Sequence, residues 1–477
     1  MIKFIDFPLI LLTVTTLLGC VSQQYYRQGN FVAHGRPCVQ STKAEDCETA
    51  EEGKGAKGEP YFLGIVEFDD SGLLFNLDQL DFVINELKDR AISDPNHVGA
   101  IVVAFAHGWT HNASPNDESL VFFRDLLKQL AEHEERLAKE KGRKPRFVEG
   151  VYLAWHGHSM IDGFEQVFTF YARKATAHRI GEREATQTLL RLRDAVYGNS
   201  ATASPPKNDS SQAPNRFIIV GHSFGGALIY SATSQLLSSQ LLCQPQTSLE
   251  RQLADSVILI NPALEAIRVL PLIQTLSHNK SCENTLDIPY PKLAIFTSDS
   301  DDATKRAFSW AGLASTIPNT IFGISYRDEV LNPLRSNATA TTSEHDTDKL
   351  SERDADSRSI GHFDPLVTHF LVRSNDPMAE KAGCKVVPNV DAYSQTDYDH
   401  LDFGETCLVV ADPVFGSDVP GFDKKLNRLK PRQLAVFNVK VNQQIWDGHG
   451  LEQKDRMNTF LRFLEQFIPF GLGEKNL

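Results

Sequence analysis

The chain has 477 residues, 41% of them hydrophobic, which is enough to bury the core of one large domain. Its formal net charge at pH 7 is −13. Because an acidic chain is repelled by a phosphate backbone, this charge argues against a nucleic-acid-binding protein. The sequence contains no internal repeat.

The first residues predict an export signal. Lys3 gives the segment a small positive charge, and an apolar run follows from Phe7 to Leu18. These twelve apolar-leaning residues are too few to cross a hydrocarbon layer of roughly 30 Å as a helix. We therefore expect residues 1–19 to be a cleaved signal peptide and not a membrane-spanning anchor.

Leu17-Leu18-Gly19-Cys20 resembles a bacterial lipobox, in which Cys20 is the acylated residue. The resemblance implies a lipoprotein of the cell envelope, held at a membrane surface by acyl chains such as palmitate. Val21 after the cysteine, instead of aspartate, implies by analogy the outer membrane, with the protein facing the periplasm or the exterior. An ordinary secretory signal is the alternative.

Residues 20–60 are polar and rich in glycine, lysine and glutamate, which predicts a tether between the lipid and a folded domain. The folded domain is predicted over residues 61–477. Within it, the polar segments 199–215 and 335–360 predict loops.

Short apolar runs alternate with amphipathic stretches along this domain, which predicts a doubly wound, mostly parallel α/β sheet. We expect helical cap insertions near residues 161–197 and 303–360. Four aromatic residues of the first insertion are expected to line an acyl pocket or to belong to the core: Phe164, Phe168, Phe170 and Tyr171. The predicted strands are 61–68, 100–106, 147–155, 216–220, 256–260, 292–297 and 434–442, and the predicted helices are 77–92, 118–140, 226–238 and 453–467.

Gly221-His222-Ser223-Phe224-Gly225 lies at a sharp turn between a predicted strand and a predicted helix. A serine at such a turn needs small neighbours two residues to either side, because larger side chains would collide with the strand and the helix. Gly221 and Gly225 meet this need. The turn also directs the N–H of Phe224 toward the space in front of Ser223. The pattern predicts a nucleophilic serine, and the alternative is an ordinary turn in which the serine caps the helix.

The serine turn and the strands around it resemble the α/β-hydrolase superfamily, from about Tyr61 onward. Members of the family carry the acid after a later strand and the histidine after the last one, in the order Ser, Asp or Glu, His. The run 151–157, together with residues 164–181, also resembles a group of hydrolase-like proteins, several of them bacterial lipoproteins. Asn261-Pro262-Ala263 follows the predicted fifth strand, at the carboxyl edge where active sites of open α/β sheets gather.

Three aspartates compete for the role of the acid. The apolar strand 292–297 runs directly into Ser298-Asp299-Ser300-Asp301-Asp302. The family pattern T-G-x-x-D matches the five residues that end at Asp301, with serine in place of glycine, and this implies Asp301 as the acid. Asp299 and Asp302 remain alternatives, since a shift of one residue in the turn changes which carboxylate faces the imidazole.

His449 occupies the position that the resemblance gives to the base. A strand-like run from Phe437 to Asn442 is followed by the glycine-flanked loop Trp446-Asp447-Gly448-His449-Gly450 and then by the last predicted helix. Its task would be to move the serine proton while the acid orients its ring. Two other histidines are runners-up that we expect to be structural or to line the cleft: His362 and His369.

The loop after the second predicted strand is expected to complete an oxyanion hole. The strand is followed by His107-Gly108-Trp109-Thr110-His111. This loop resembles that of many lipases and esterases, which have a His-Gly pair at the same position. The resemblance implies that Gly108 lets the backbone approach a substrate and that the N–H of Trp109 complements that of Phe224. The two histidines of this loop are expected to brace it or to lie in the cleft: His107 and His111.

Cysteine usage agrees with export. Besides Cys20, six of the seven cysteines remain, an even number for a compartment that permits disulfides. We expect nearest neighbours to pair, with free buried thiols as the alternative: Cys38 with Cys47, Cys243 with Cys282, and Cys384 with Cys407. No C-x-x-C pair indicates a metal or redox site, and we expect neither a metal nor a cofactor.

The predicted order Ser, Asp, His favours a membrane-anchored serine hydrolase that cleaves a carboxylic ester through an acyl-enzyme. The expected partner is a small-molecule or lipid ester, and the oligomeric state stays open. One alternative is a non-catalytic envelope lipoprotein that uses the hydrolase fold for binding. Another is an acyltransferase with the same triad, because the acceptor that enters the cleft, water or another group, decides between the two reactions.

Overall fold

Eleven strands of the described residues form one sheet in the computed structural model. The structure describes residues 25–27, 49–93, 96–157, 166–198, 215–241, 253–278, 291–305, 352–384, 400–403, 405–411, 435–451 and 454–470. The strands are β1 Ala50–Lys54, β2 Pro60–Phe68, β3 Ala100–Ala106, β4 Phe147–Trp155, β5 Arg216–His222, β6 Ser256–Ile260, β7 Leu293–Ser298, β8 His369–Arg373, β9 His400–Phe403, β10 Thr406–Val410 and β11 Val436–Val441.

The sheet order is β1-β2-β4-β3-β5-β6-β7-β11-β8-β10-β9. All neighbours from β2 to β8 run parallel, whereas β1 pairs antiparallel with β2, and β10 pairs antiparallel with both β8 and β9. The prediction of a mostly parallel α/β sheet of the α/β-hydrolase type is therefore confirmed.

Helices cover both faces of the sheet. They are α1 Leu77–Ser93, α2 Glu118–Glu140, α3 Gln166–Ile180, α4 Thr186–Tyr197, α5 Phe224–Leu241, α6 Ala266–His278, α7 Glu352–Ser357, α8 Pro377–Ala382 and α9 Lys454–Phe470, with a π-helical turn at Gly181–Ala185. Successive side chains of β3 point to opposite faces of the sheet, so the hydrophobic core has two parts. Val102 and Ala104 pack in the part that contains α1 and α3 to α7, whereas Val103 and Phe105 pack in the part that contains α2 and α9. None of the described helices is long and apolar enough to cross a membrane.

The register of the parallel strands places the ends of five strands at one edge. Ala106 pairs with Gly221, His222 pairs with Ile260, and Val441 pairs with Ser298. The segments that follow β3, β5, β6, β7 and β11 therefore leave the sheet side by side. The serine, histidine, aspartate and predicted oxyanion residues of the candidate site lie on these segments.

Part of the segment predicted as a tether belongs to the folded domain. Residues 50–54 form β1, and the backbone N–H groups of Tyr26 and Arg27 donate to the Glu67 carboxylate at 3.0 and 2.6 Å. The Arg27 side chain is fully buried and also bonds the carbonyl oxygen of Ala113. The prediction of a tether over residues 20–60 is wrong for these residues, because long-range pairing overrides their polar composition.

The region predicted as a cap over residues 161–197 differs in its described part. Ile180, Leu189 and Leu192 are completely buried against the sheet, so α3 and α4 form a layer of the core. Among the described side chains of α3, Phe170 reaches the candidate site. Of the second insertion, 303–360, residues 306–351 lie outside the described part, and α7 joins the same core through Ala355.

Cys384 and Cys407 form a disulfide that joins the second residue after α8 to β10. The bond ties the antiparallel extension of the sheet to its short helix. The other cysteines of the predicted pairs lie outside the described residues, as does the predicted acylation site: Cys38, Cys47, Cys243, Cys282 and Cys20.

Candidate active site

Ser223 sits between β5 and α5 with a φ of +54°. A positive φ is uncommon for a residue with a side chain and costs about 1 to 3 kcal/mol, so the surroundings must enforce it. The Ser223 N–H donates to the Ile260 carbonyl at 2.9 Å, and the Ser223 carbonyl accepts from the Ala263 N–H at 3.0 Å. The end of β6 thus holds the serine backbone on both sides.

Gly221 and Gly225, on either side of Ser223, pack against the backbone too closely for any side chain to fit. A Cβ on Gly225 would lie 2.1 Å from the carbonyl oxygen of Ala106, and a Cβ on Gly221 would lie 2.6 Å from the carbonyl oxygen of Gly225. Both distances are far below van der Waals contact, so a larger residue would force the turn off the sheet.

A continuous hydrogen-bonded chain links the serine, the histidine and one aspartate. His449 Nε2 lies 2.8 Å from Ser223 Oγ, and His449 Nδ1 lies 2.9 Å from Asp301 Oδ1. Because a carboxylate only accepts, Nδ1 carries the proton of a neutral ring, and Nε2 is left to accept the proton of the serine. The structure therefore brings together the three residues that the sequence indicates.

Asp301 is completely buried and bonded on both oxygens. Besides His449, its carboxylate accepts from the Thr304 N–H at 3.1 Å and from the Thr304 hydroxyl at 2.6 Å. Burial by itself would raise the pKa of Asp301, but His449 and Thr304 more than offset this and hold the pKa below its usual value. The carboxylate stays charged and oriented toward the imidazole.

The two alternative aspartates lie elsewhere. Asp299 is 43% exposed, and its carboxylate is 4.0 Å from Lys440 Nζ. Asp302 is exposed at the start of the turn that follows Asp301. Of the three candidates, Asp301 is the one bonded to the His449 ring.

Side chains from β5 and β6 clamp the backbone of His449. The Asn261 amide donates to the carbonyl oxygens of Gly448 and His449 at 3.2 and 3.0 Å, and the His222 Nε2 lies 3.0 Å from the same His449 oxygen. The Asn261 Oδ1 accepts from the N–H of Ser298 at 2.9 Å. One buried amide thus connects the loops of the base and the acid.

The acid loop holds the histidine loop from a second side. The Ser298 hydroxyl donates to the Trp446 carbonyl at 2.8 Å, and the Gly448 N–H donates to the Ser300 hydroxyl at 2.8 Å. The fully buried Trp446 closes the loop by donating to the Gly450 carbonyl at 3.2 Å. Sequence reasoning did not find the roles of Ser298 and Ser300, although both stand in the predicted acid turn.

The predicted oxyanion loop lies directly against the serine. A Cβ on Gly108 would lie 2.9 Å from Ser223 Cβ, so only glycine fits this approach. Phe224 is the first residue of α5, and its N–H therefore has no acceptor within the helix. Backbone from two loops meets at the serine, as an oxyanion hole requires.

His107 fixes the peptide between Gly108 and Trp109. The Trp155 N–H donates to His107 Nε2 at 3.0 Å, so Nδ1 carries the proton and donates to the Gly108 carbonyl at 2.9 Å. Because the peptide is trans, the Trp109 N–H points opposite to that carbonyl, away from the His107 ring. Burial lowers the pKa of His107 to about 4, which keeps the ring neutral.

Three aromatic rings form an apolar wall beside the serine. Phe170 lies 4.8 Å from Phe224 and 5.9 Å from Trp109, and Trp109 lies 6.1 Å from Phe224, between ring centroids. The wall joins the predicted oxyanion loop to the start of α3. Phe164 and the side chains of Phe168 and Tyr171 lie outside the described part of the chain.

The other candidate histidines have different surroundings. His369 is buried in β8 with its ring 4.1 Å from Phe437, and burial lowers its pKa to about 3. Burial also lowers the pKa of His362, which lies near Asp301. His111 Nδ1 lies 3.2 Å from a carboxylate oxygen of Asp117, the N-cap residue of α2.

No protein family model matches the sequence, and a search of curated proteins finds no match. Among solved structures, the chain is similar to phospholipase PlaB from Legionella pneumophila in complex with thio-NAD, with 14% identity and a TM-score of 0.21. The match covers 44% of this chain and 40% of the phospholipase, so it spans less than half of either protein. A TM-score this low is too weak to support a common activity.

Proposed function

We propose that this protein is a serine hydrolase that cleaves carboxylic esters through an acyl-enzyme on Ser223. The hydrogen-bonded chain from Ser223 through His449 to Asp301, with distances of 2.8 and 2.9 Å, carries the proposal. A serine nucleophile, a base within hydrogen-bond reach and a group that orients the base are the parts that such catalysis needs.

In the first half of the reaction, Ser223 Oγ attacks the ester carbonyl carbon as its proton passes to His449 Nε2. The tetrahedral intermediate collapses when the bond to the alcohol oxygen breaks, and that oxygen takes the proton from His449 and leaves as the alcohol. In the second half, water attacks the acyl carbon and gives a proton to His449. The bond to Ser223 Oγ then breaks, the serine regains its proton, and a carboxylic acid leaves.

The N–H groups of Phe224 and Trp109 are proposed to stabilise the oxyanion, with Gly108 allowing the close approach. The contact between Gly108 and Ser223 and the orientation of the Trp109 peptide by His107 support this assignment. Fixed backbone donors of this kind need no reorganisation as charge develops on the oxygen. The aromatic wall of Trp109, Phe170 and Phe224 would bind the apolar part of the acyl group.

The lipobox-like sequence that ends at Cys20 supports an anchored enzyme. We therefore include acylation of Cys20, and attachment to a bacterial envelope membrane, in the proposal. Replacing Cys20 with serine should leave a precursor or a soluble form, which partitioning into detergent would measure. Unchanged partitioning would exclude Cys20 as the anchor.

A fluorophosphonate probe tests the catalytic part of the proposal. Wild type should be labelled and should hydrolyse a p-nitrophenyl ester, whereas Ser223→Ala should do neither, because the change removes only the attacking hydroxyl. Ser238→Ala is a matched control, since Ser238 lies on the same helix and bonds only its own turn at Ser234. An unlabelled wild type would favour a binding protein, and product formed only with an added alcohol would favour acyl transfer.

A further inference from the structure

The loop after β2 presents two leucines to solvent. Leu73 is 47% exposed and Leu77 is 56% exposed, and they are the most exposed large hydrophobic side chains within the described part of the chain. Single exposed leucines are ordinary on protein surfaces. These two, however, lie four residues apart. Leu73 ends the turn that its carbonyl closes by accepting from the Asp69 N–H, and Leu77 is the first residue of α1.

The loop is held so that the leucines cannot fold back. Arg173 bonds both oxygens of Asp70 at 2.6 and 2.7 Å, and Arg179 donates to the Asp70 carbonyl at 2.8 Å. The Leu74 N–H donates to the Glu184 carboxylate. These bonds come from α3 and from the π-helical turn, so the loop has a fixed conformation that leaves Leu73 outside.

The N-terminal segment meets the domain at this same loop. The ring of Tyr25 stacks on Phe75 at 5.1 Å, and the next two residues, Tyr26 and Arg27, are bonded through their N–H groups to Glu67. Phe75 stands midway between the two leucines in the sequence. Tyr25, five residues after Cys20 in the sequence, therefore lies beside the segment that carries both leucines.

Chain length then limits where the anchor can be. Five residue steps separate Cys20 from Tyr25, and a fully extended chain spans at most about 18 Å over that distance. Two further steps separate Phe75 from each leucine, or at most about 7 Å. A bilayer that contacts the two leucines therefore lies within reach of an acyl group on Cys20.

We propose that Leu73 and Leu77 dock the domain on a lipid bilayer, with the carboxyl edge of the sheet turned toward the membrane. This inference rests on the acylation of Cys20 proposed above. In the sheet, β2 lies three strands from β5, which is about 14 Å at the usual strand spacing. Docking through this loop brings Ser223 close to the membrane surface, and the substrate class it indicates is an ester of a membrane lipid.

The docking is apolar in character. Charges of both signs contact this loop, because the Asp69 carboxylate accepts from the Leu73 N–H and Arg179 donates to the Asp70 carbonyl. The whole chain carries −13. Electrostatic attraction to anionic lipids therefore does not drive the docking of this loop on the bilayer. The anchor keeps the local concentration of bilayer high, so burial of two half-exposed leucines suffices to favour the docked orientation by on the order of tenfold or more.

Brominated phosphatidylcholine vesicles test the orientation directly. The chain is purified from membranes, acylation of Cys20 is verified by mass spectrometry, and the protein is reconstituted. The added tryptophan emission of Leu77→Trp should be quenched by bromine, whereas that of Gln235→Trp should not. Gln235 is exposed on α5, about 17 Å along the helix from its start at the carboxyl edge. Equal quenching of both, no quenching of Leu77→Trp, or no acyl group on Cys20 would overturn the proposal.

Activity provides a second test with a matched control. Leu73→Glu/Leu77→Glu should lower hydrolysis of a long-chain ester embedded in phosphatidylcholine vesicles about tenfold, while hydrolysis of a water-soluble short ester stays unchanged. Gln235→Glu/Ser239→Glu adds the same two charges at the same spacing and should change neither. Equal loss on both esters, or equal loss in the control, would contradict docking. If wild type hydrolyses no ester, the proposed enzyme activity fails, and the bromine experiment still decides the orientation.

Discussion

The side-chain amide of Asn261 donates a hydrogen bond to the main-chain carbonyl of His449 at 3.0 Å. Asn261 is fully buried and has a φ of +42°, a conformation that asparagine tolerates better than most residues. Its own N–H bonds the Phe296 carbonyl at 2.8 Å, so the residue is fixed at the ends of β6 and β7. The position of the His449 ring over Ser223 thus depends on a residue that takes no part in proton transfer.

Replacing Asn261 with aspartate should lower kcat by about 10²-fold, with KM nearly unchanged. The change keeps the size of the side chain but removes both donors to the histidine loop, and a shift of the base by about 1 Å costs a factor of that size. Steady-state kinetics on a p-nitrophenyl ester would measure it.

Asn438→Asp is the control for Asn261→Asp. Asn438 is equally buried, and its amide also bridges two carbonyl oxygens, those of Ile360 and Leu366, at 3.1 Å each. Both variants should lose stability, because buried carbonyls are left without a donor. Only Asn261→Asp should lose kcat, and an equal loss in the two variants would show that the effect is general unfolding.

The central part of the sheet could be predicted from the sequence because its strands are locally unambiguous. β3 and β5 are continuous apolar runs, as expected for parallel strands buried on both faces. The strands at the two ends of the sheet were missed for physical reasons. β1 is polar and half exposed, so only its pairing with β2 defines it. Helix α6 was also missed, since Pro271 lies in its interior.

The candidate site likewise contains residues that local sequence features predict and residues that only long-range contacts define. Ser223 and the order of its partners could be found, because a glycine-flanked turn and the ends of strands are local features. The choice among the aspartates rests on the resemblance alone until the structure places Asp301 under His449. The clamp formed by Asn261 and His222 has no local signal, since their shared partner, the His449 carbonyl, lies more than 180 residues away in the chain.

The buried position of Asp301 predicts a large effect of its amide variant. Asp301→Asn should lower kcat by about 10⁴-fold, because an amide that donates to His449 Nδ1 selects the wrong tautomer. Asp299→Asn and Asp302→Asn should stay near wild type, since neither carboxylate bonds the ring. Single-turnover kinetics with a chromogenic ester would compare the three variants, and a crippled Asp302→Asn enzyme would reassign the acid.

The histidine assignment predicts a lack of additivity. His449→Ala should lose about as much activity as Ser223→Ala, and the double variant should be scarcely worse, because members of a triad act as a unit. His362→Ala and His369→Ala should keep turnover once the loss of folded protein is corrected for. An inactive but folded His369→Ala enzyme would be inconsistent with the buried position of that ring beside Phe437.

His107 connects the stability of the fold to pH through the loop next to Ser223. Its pKa of about 4 in the folded protein lies below the ordinary value of 6.5, so between these values the unfolded chain binds a proton that the folded chain does not. Stability contributed by the neutral ring is therefore complete above pH 6.5 and falls as the pH drops toward 4. In His107→Leu this component should disappear, so urea unfolding at pH 7.5, 6 and 5 should show a shallower pH dependence than in wild type.

The same His107→Leu variant should have a kcat about 10²-fold lower at pH 7.5, because the Gly108 carbonyl loses the donor that orients the Trp109 N–H. Unchanged kcat in a folded His107→Leu enzyme would mean that the Trp109 peptide is held by other contacts.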